Sequence, residues 1–98
     1  MEIFKIKDDT HLTIVLEGEL NTITAPDLEK VIKDNLSNIK LLVLDFGKLE
    51  YLSSAGLRVL LIAQKIMDSQ GKMIVKNVNS TIMDIFEMTG FSNILSFE

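Results

Sequence analysis

Between His11 and Leu20 apolar and polar side chains alternate. Leu12, Ile14, Leu16, Gly18 and Leu20 fall on one face, Thr13, Val15, Glu17 and Glu19 on the other. That two-residue period is the mark of a half-buried strand. Residues 2–7 show a mixed alternation. The turn signal Asp8-Asp9-Thr10 separates the two runs, so they read as a hairpin. The period then changes. Leu28, Val31, Ile32 and Leu36 recur at helical spacing. Thr24-Ala25-Pro26-Asp27 looks like the helix start: Thr24 can cap, Pro26 suits a first turn, and Asp27 stands three residues on, as in a weak capping box. Residues 35–38 close this helix. Leu41 to Leu44 is an apolar run short enough for a buried strand; Asp45 ends it and a loop follows.

After that loop comes Ser53-Ser54-Ala55-Gly56, and then Leu57, Val59, Leu60, Leu61, Ile62, Ala63, Ile66 and Met67 in an almost unbroken helical pattern. Gly71 stops the helix, and Met73-Ile74-Val75 makes a short strand. Strand, helix and strand in this order imply a parallel pair with a right-handed crossover. Asn79-Ser80 caps a third helix with Ile82, Ile85 and Phe86 on its inner face. Gly90 is a natural residue for its end, and Phe91 can pack back on it. Ile94 and Leu95 suit a last short strand. The predicted architecture is α/β: a mixed sheet carrying amphipathic helices, in the order ββαβαβα(β). No linker or repeat divides residues 1–98, so the expectation is a single domain.

The candidate chemistry concentrates at Ser54, expected at the N-cap of the central helix. The first turn of a helix has backbone N–H groups without partners inside the helix. A serine hydroxyl can accept from one of them, and the helix dipole favours negative charge there. Two readings follow from position: Ser54 is a cap, or its hydroxyl carries a phosphate in an anion-favouring place.

Composition narrows the function. Of 98 residues 47% are apolar and 24% charged, which is globular. There is no cysteine, so disulfides and thiolate metal sites are excluded. The net charge of −4 and the scattered lysines argue against a surface for nucleic acid. No apolar run reaches the roughly 18–20 residues of a membrane span, and the N-terminus lacks a signal peptide's long apolar stretch; a cytoplasmic location is expected. The single histidine, His11, has no partner arrangement for catalysis, the carboxylates show no metal-ligand spacing, and the five glycines stand singly. The expectation is a protein with no enzymatic activity, cofactor or metal.

The ordered segments carry a resemblance. Gly18-Glu19-Leu20-Asn21 with Thr24-Ala25-Pro26-Asp27-Leu28, the strand Leu42-Val43-Leu44-Asp45, the run from Tyr51 to Leu61, and Phe86-Glu87-Met88-Thr89-Gly90-Phe91 together resemble the STAS domain. That is the fold of bacterial anti-sigma factor antagonists and of the cytosolic tails of sulfate transporters. The transporter tail is disfavoured, because the chain starts directly at its first strand and has no membrane segment. The resemblance implies that the serine two residues before the signature glycine, here Gly56, is phosphorylated. That serine is Ser54. It further implies an anti-sigma factor serine kinase as partner, bound by the unphosphorylated form and released by phosphorylation, and a PP2C-type phosphatase that removes the phosphate.

Three positions depart from the family pattern. Ser53 replaces the signature aspartate, which removes a carboxylate and offers a rival acceptor hydroxyl. Ala55 replaces a second serine or threonine, and Asn21 replaces an aspartate. The expected partner surface combines Asn21, Thr22 and Thr24 with Ser53, Ser54, Gly56 and Arg58, the last either reaching a partner carboxylate or lying on a solvated face. The alternatives are a STAS scaffold or ligand-sensing module without a phosphate switch, and a small enzyme.

Overall fold

The computed structural model describes residues 1–98. Strands β1 (Glu2–Asp8) and β2 (His11–Leu20) form the antiparallel hairpin, paired from Glu2 opposite Glu17 to Asp8 opposite His11. Strand β3 (Leu41–Leu52) lies parallel to β2, and β4 (Lys72–Lys76) parallel to β3, so the sheet order is β1-β2-β3-β4. Parallel neighbours need a crossover connection. Helix α1 (Ala25–Asn35) supplies the first and α2 (Ser54–Asp68) the second. Helix α3 (Ser80–Thr89) follows β4, and one turn of 3-10 helix (Phe91–Asn93) follows it. This is the mixed α/β architecture expected from the alternating periods. No helix is long and apolar enough to cross a membrane.

The core is one-sided. Leu12, Ile14, Leu16 and Leu20 of β2, and Leu42, Leu44 and Phe46 of β3, are buried against Leu28 and Ile32 of α1, Leu60, Ala63 and Met67 of α2, and Ile82 and Phe86 of α3. The alternate positions of the same strands, such as Thr13, Val15 and Val43, are only partly covered. The helices therefore share one face of the sheet, and the other face carries none. Tilted ring pairs extend the packing to the C-terminus: Phe86 lies 6.4 Å from Phe46 and 5.6 Å from Phe97, centroid to centroid. Gln70 closes the far end of α2 by donating to the carbonyls of Leu36 and Ile39 at 2.6 and 2.8 Å.

Three sequence expectations are corrected. The segment after Asp45 is not a loop, because β3 continues to Leu52. Its register against β2 shifts twice, between Val15 and Glu17 and between Gly18 and Glu19. Each shift sets an extra β3 residue against β2, a bulge, and the buried positions become Phe46, Leu49 and Leu52. Next, Thr24 does not cap α1 in the expected way. Asn21 Oδ1 accepts from Ile23 and Thr24 N–H at 2.9 and 3.1 Å, while Thr24 Oγ1 accepts from Asn21 N–H at 2.8 Å. That reciprocal pair closes the turn before the helix, and the first helical N–H groups use backbone carbonyls: Ala25 N–H donates to Asn21 at 2.8 Å and Leu28 N–H to Thr24 at 3.4 Å. Finally, Ile94 and Leu95 form no strand; the last pairing is a single parallel bridge of Phe97 to Val75.

Candidate functional site

The end of β3 hands directly into α2, and the handover is anchored to β2. Leu20 pairs with Leu52. Ser53 N–H donates to the Leu20 carbonyl at 2.9 Å, and the Ser53 carbonyl accepts from Leu57 N–H at 3.0 Å. Ser53, with φ −98° and ψ 175°, is therefore the N-cap residue, and Ser54 is the first residue of the helix. This corrects the expectation that Ser54 is the cap. Ser53 makes no side-chain cap bond either: its Oγ is buried and has no hydrogen-bond partner in the protein. The two serines separate by environment. Ser54 is exposed and Ser53 half-buried.

Gly56 fixes how closely this helix head approaches the sheet. A Cβ at Gly56 would lie 2.6 Å from Leu52 Cδ1 and 2.7 Å from Leu20 Cγ. With hydrogen in that place the first turn of α2 seats on the ends of β2 and β3. No acidic residue stands in the turn, so the positive end of the helix dipole is not offset there by a carboxylate.

The turn from Asn21 to Thr24 lies beside this helix head. Thr22, Ala25, Pro26 and Glu29 on one side, and Ala55, Arg58 and Val59 on the other, line a shallow cavity of about 250 Å³. The structure thus brings Thr22 and Arg58 to one cavity, with Ala55, the residue after Ser54, in its wall. Asn21 and Thr24 have a different part. Their polar atoms are used within the turn, with Thr24 Oγ1 also donating to the Glu19 carbonyl at 2.8 Å, so they hold the shape that presents Thr22. Arg58 makes no direct ion pair. Across the cavity, Glu29 pairs with Lys33 at 2.7 Å. That hydrogen bond and the Lys33 charge hold the Glu29 carboxyl below its ordinary range, against an opposing effect of burial and with a further contribution from Arg58.

One residue of this surface escaped the sequence reading. Ile23, 85% exposed, stands between Thr22 and Thr24. Its N–H donates to Asn21 Oδ1 at 2.9 Å, so the turn holds this apolar side chain outward. The available signal was an isoleucine inside a polar turn segment, outside either apolar period.

The profile of the STAS domain matches residues 3–98. The chain belongs to the STAS domain family. Its relatives include BtrV of Bordetella bronchiseptica, named an anti-sigma factor antagonist, which is 34% identical over 96 residues, spanning 96% of this chain and 83% of BtrV. Among solved structures, an anti-sigma factor antagonist from Mycobacterium paratuberculosis superposes with a TM-score of 0.88 at 22% identity, over 98% of this chain and 83% of that one. SpoIIAA, an anti-sigma factor antagonist solved in its unphosphorylated form, superposes with a TM-score of 0.78 at 16% identity over 99% of this chain and 87% of its own. At these identities the two structures establish the shared STAS fold.

Proposed function

We propose that this STAS domain is a partner-switching anti-sigma factor antagonist. Unphosphorylated, it binds an anti-sigma factor serine kinase through Thr22, Ile23, Ser54 and Arg58, with Asn21, Thr24, Ser53 and Gly56 holding that surface in shape. Phosphorylation of Ser54 by the kinase releases it, and a PP2C-type phosphatase restores it. The observation that carries the reading is the exposed Ser54 hydroxyl on the first residue of a helix whose opening turn holds no carboxylate and whose neighbouring cap hydroxyl is buried. SpoIIAA, of the same fold, is known in a phosphorylated form, and BtrV bears the antagonist's name.

The chemistry is consistent with a switch at the interface rather than in the fold. A phosphate adds about −1.5 to −2 charge, which the helix N-terminus favours by ~0.3–1 kcal/mol. At a close-packed interface the same group must lose water and meet bulk. A penalty of ~3 kcal/mol weakens binding roughly 150-fold. The test is phosphate incorporation, read by mass spectrometry after incubation with the cognate kinase and ATP. Ser54→Ala is expected to bind the kinase and accept no phosphate, and Ser53→Ala to be labelled. Label retained in Ser54→Ala and lost from Ser53→Ala moves the switch to Ser53; no label on the parent chain leaves a STAS scaffold without a switch.

A further inference from the structure

The sheet face that carries no helix has an ordered composition. Side chains alternate along each strand, and burial of Ile3, Leu12, Leu42 and Met73 on one side puts Phe4, Ile6 and Asp8 of β1 on the other. With them are His11, Thr13 and Val15 of β2, Leu41 and Val43 of β3, and Lys72, Ile74 and Lys76 of β4. The pairing sets these in rows across the sheet. Ile6 stands beside Thr13, Val43 and Ile74, a row with no charge. The next row runs Asp8, His11, Leu41, Lys72, and the row on the other side Phe4, Val15, Asp45, Lys76. Ile6 is 62% and Phe4 45% exposed. The Asp45 carboxylate in these rows is held by Gly47 N–H at 2.9 Å and Asn77 Nδ2 at 3.0 Å. The face thus has one uncharged row through its middle, Glu2 and Asp8 on the β1 margin, Lys72 and Lys76 on the β4 margin, and the Asp45 carboxylate on β3, bonded within its own chain.

We propose that a second copy of this chain packs on this face, the two related by a two-fold axis parallel to the strands. Such an axis lays β1 of one copy over β4 of the other and keeps each row opposite itself. Asp8 then meets Lys72 of the partner subunit, Ile6 meets Ile74 of the partner subunit, and Thr13 meets Val43 of the partner subunit. The other in-plane axis, across the strands, would set the acidic β1 margin on itself, and like charges there oppose association. The two-fold interface is isologous, so every contact occurs twice, and face-to-face sheets pack about 10 Å apart. Four strands and three rows give a footprint of roughly 400 Å² per copy, below the ≈ 800 Å² per partner of a standard stable complex. The dimer is therefore weak and dissociates on dilution. It lies across the sheet from α2 and leaves the helix head of each copy free.

Sedimentation velocity of the full chain, over concentrations from about ten micromolar to about a millimolar, tests this without any kinase, so its outcome is independent of the Ser54 switch. The expected result is a monomer–dimer equilibrium. Ile6→Lys, at an exposed edge-strand position, weakens dimerisation by about tenfold or more. Asp8→Lys and Lys72→Glu each weaken it, and the two together in one chain recover dimerisation beyond either alone, because the axis brings the exchanged charges back into opposition. Circular dichroism verifies that each variant is folded. A chain that stays monomeric throughout overturns the proposal, as does a dimer indifferent to Ile6→Lys. A double variant no better than its parents overturns the axis and with it the arrangement.

Discussion

At the scale of single residues, the two serines show how one position in sequence divides into two physical roles. The cap position belongs to Ser53, yet its hydroxyl is buried without a bond. Asn79, the cap of α3, is its counterpart: Oδ1 accepts from Ile82 N–H at 2.9 Å and Nδ2 donates to the Leu49 carbonyl at 3.1 Å. Losing a working N-cap costs about 0.5–2 kcal/mol, whereas removing a buried hydroxyl with no partner relieves a desolvation cost. Asn79→Ala is therefore expected to lose ~1–2 kcal/mol, and Ser53→Ala less than ~0.5 kcal/mol or even to gain, in urea unfolding. Equal losses at the two sites would contradict this account of Ser53.

Asp45 gives a pH prediction at the same scale. Burial pushes its carboxyl up, but the bonds from Asn77 and Gly47 and the charge of Lys76 together hold it below the ordinary range. A folded pKa below the unfolded value, about 3.9, means that the carboxylate's contribution is fully present above that unfolded value. It is lost as pH falls through the lower folded one. Asn77→Ala removes one of these bonds, so the Asp45 titration followed by carboxyl NMR is expected to move upward. The acid limb of the stability curve then becomes shallower at this group. A titration unmoved by the substitution means that Asn77 does not hold the carboxylate.

At the scale of elements, what was legible depended on whether a period survived. His11–Leu20 keeps a clean two-residue alternation and is the strand expected, to the residue. The second half of β3 was illegible because two bulges turn its buried positions into steps of three, Phe46, Leu49 and Leu52, which match neither the strand nor the helix period. The start of α1 lies where Thr24-Ala25-Pro26-Asp27 puts it, with Thr24 at the N-cap position; the side-chain bonding was illegible, because Thr24 Oγ1 turns back to Asn21 N–H and the first helical N–H groups go to the carbonyls of Asn21 and Thr24. The lone bridge at Phe97 has no periodic signal at all. Thr22 and Arg58 line one cavity, and the exposure of Ile23 was illegible because an isolated apolar residue has no pattern.

The glycines at element junctions are also testable. A Cβ at Gly56 would press on Leu52 Cδ1 and on Cγ and Cδ2 of Leu20, side-chain atoms of two buried leucines; a Cβ at Gly71 would meet the Lys40 backbone carbonyl, fixed in place because it also accepts from Lys72 N–H at 2.9 Å. Overpacking costs typically about 1–3 kcal/mol. Gly56→Ala is expected within that range and Gly71→Ala at or above its top, by thermal or urea unfolding. The reverse order would mean that α2 is held at its head more tightly than at its tail.

At the scale of the whole molecule, the one-sided core leaves Ser54 outside the packing that carries stability. Leu60 is fully buried between α2 and the sheet, while Leu61 beside it is only half-covered. Leu60→Ala is therefore expected to cost ~2–5 kcal/mol, and Leu61→Ala clearly less. Ser54 stands outside that core, at the rim where β3 enters α2. For a domain of this size one kcal/mol moves the thermal midpoint by about 4–8 °C. Leu60→Ala is thus expected to lower it by roughly 10 °C or more, and Ser54→Asp to leave it unchanged or raise it by a few degrees, since a carboxylate at the helix head adds ~0.3–1 kcal/mol. Calorimetry of the two variants side by side checks both statements. A collapse of the midpoint in Ser54→Asp would place the serine's environment inside the packed structure, and a phosphate there would act by unfolding the domain. A midpoint that holds leaves the partner's surface as the place where the added charge is felt.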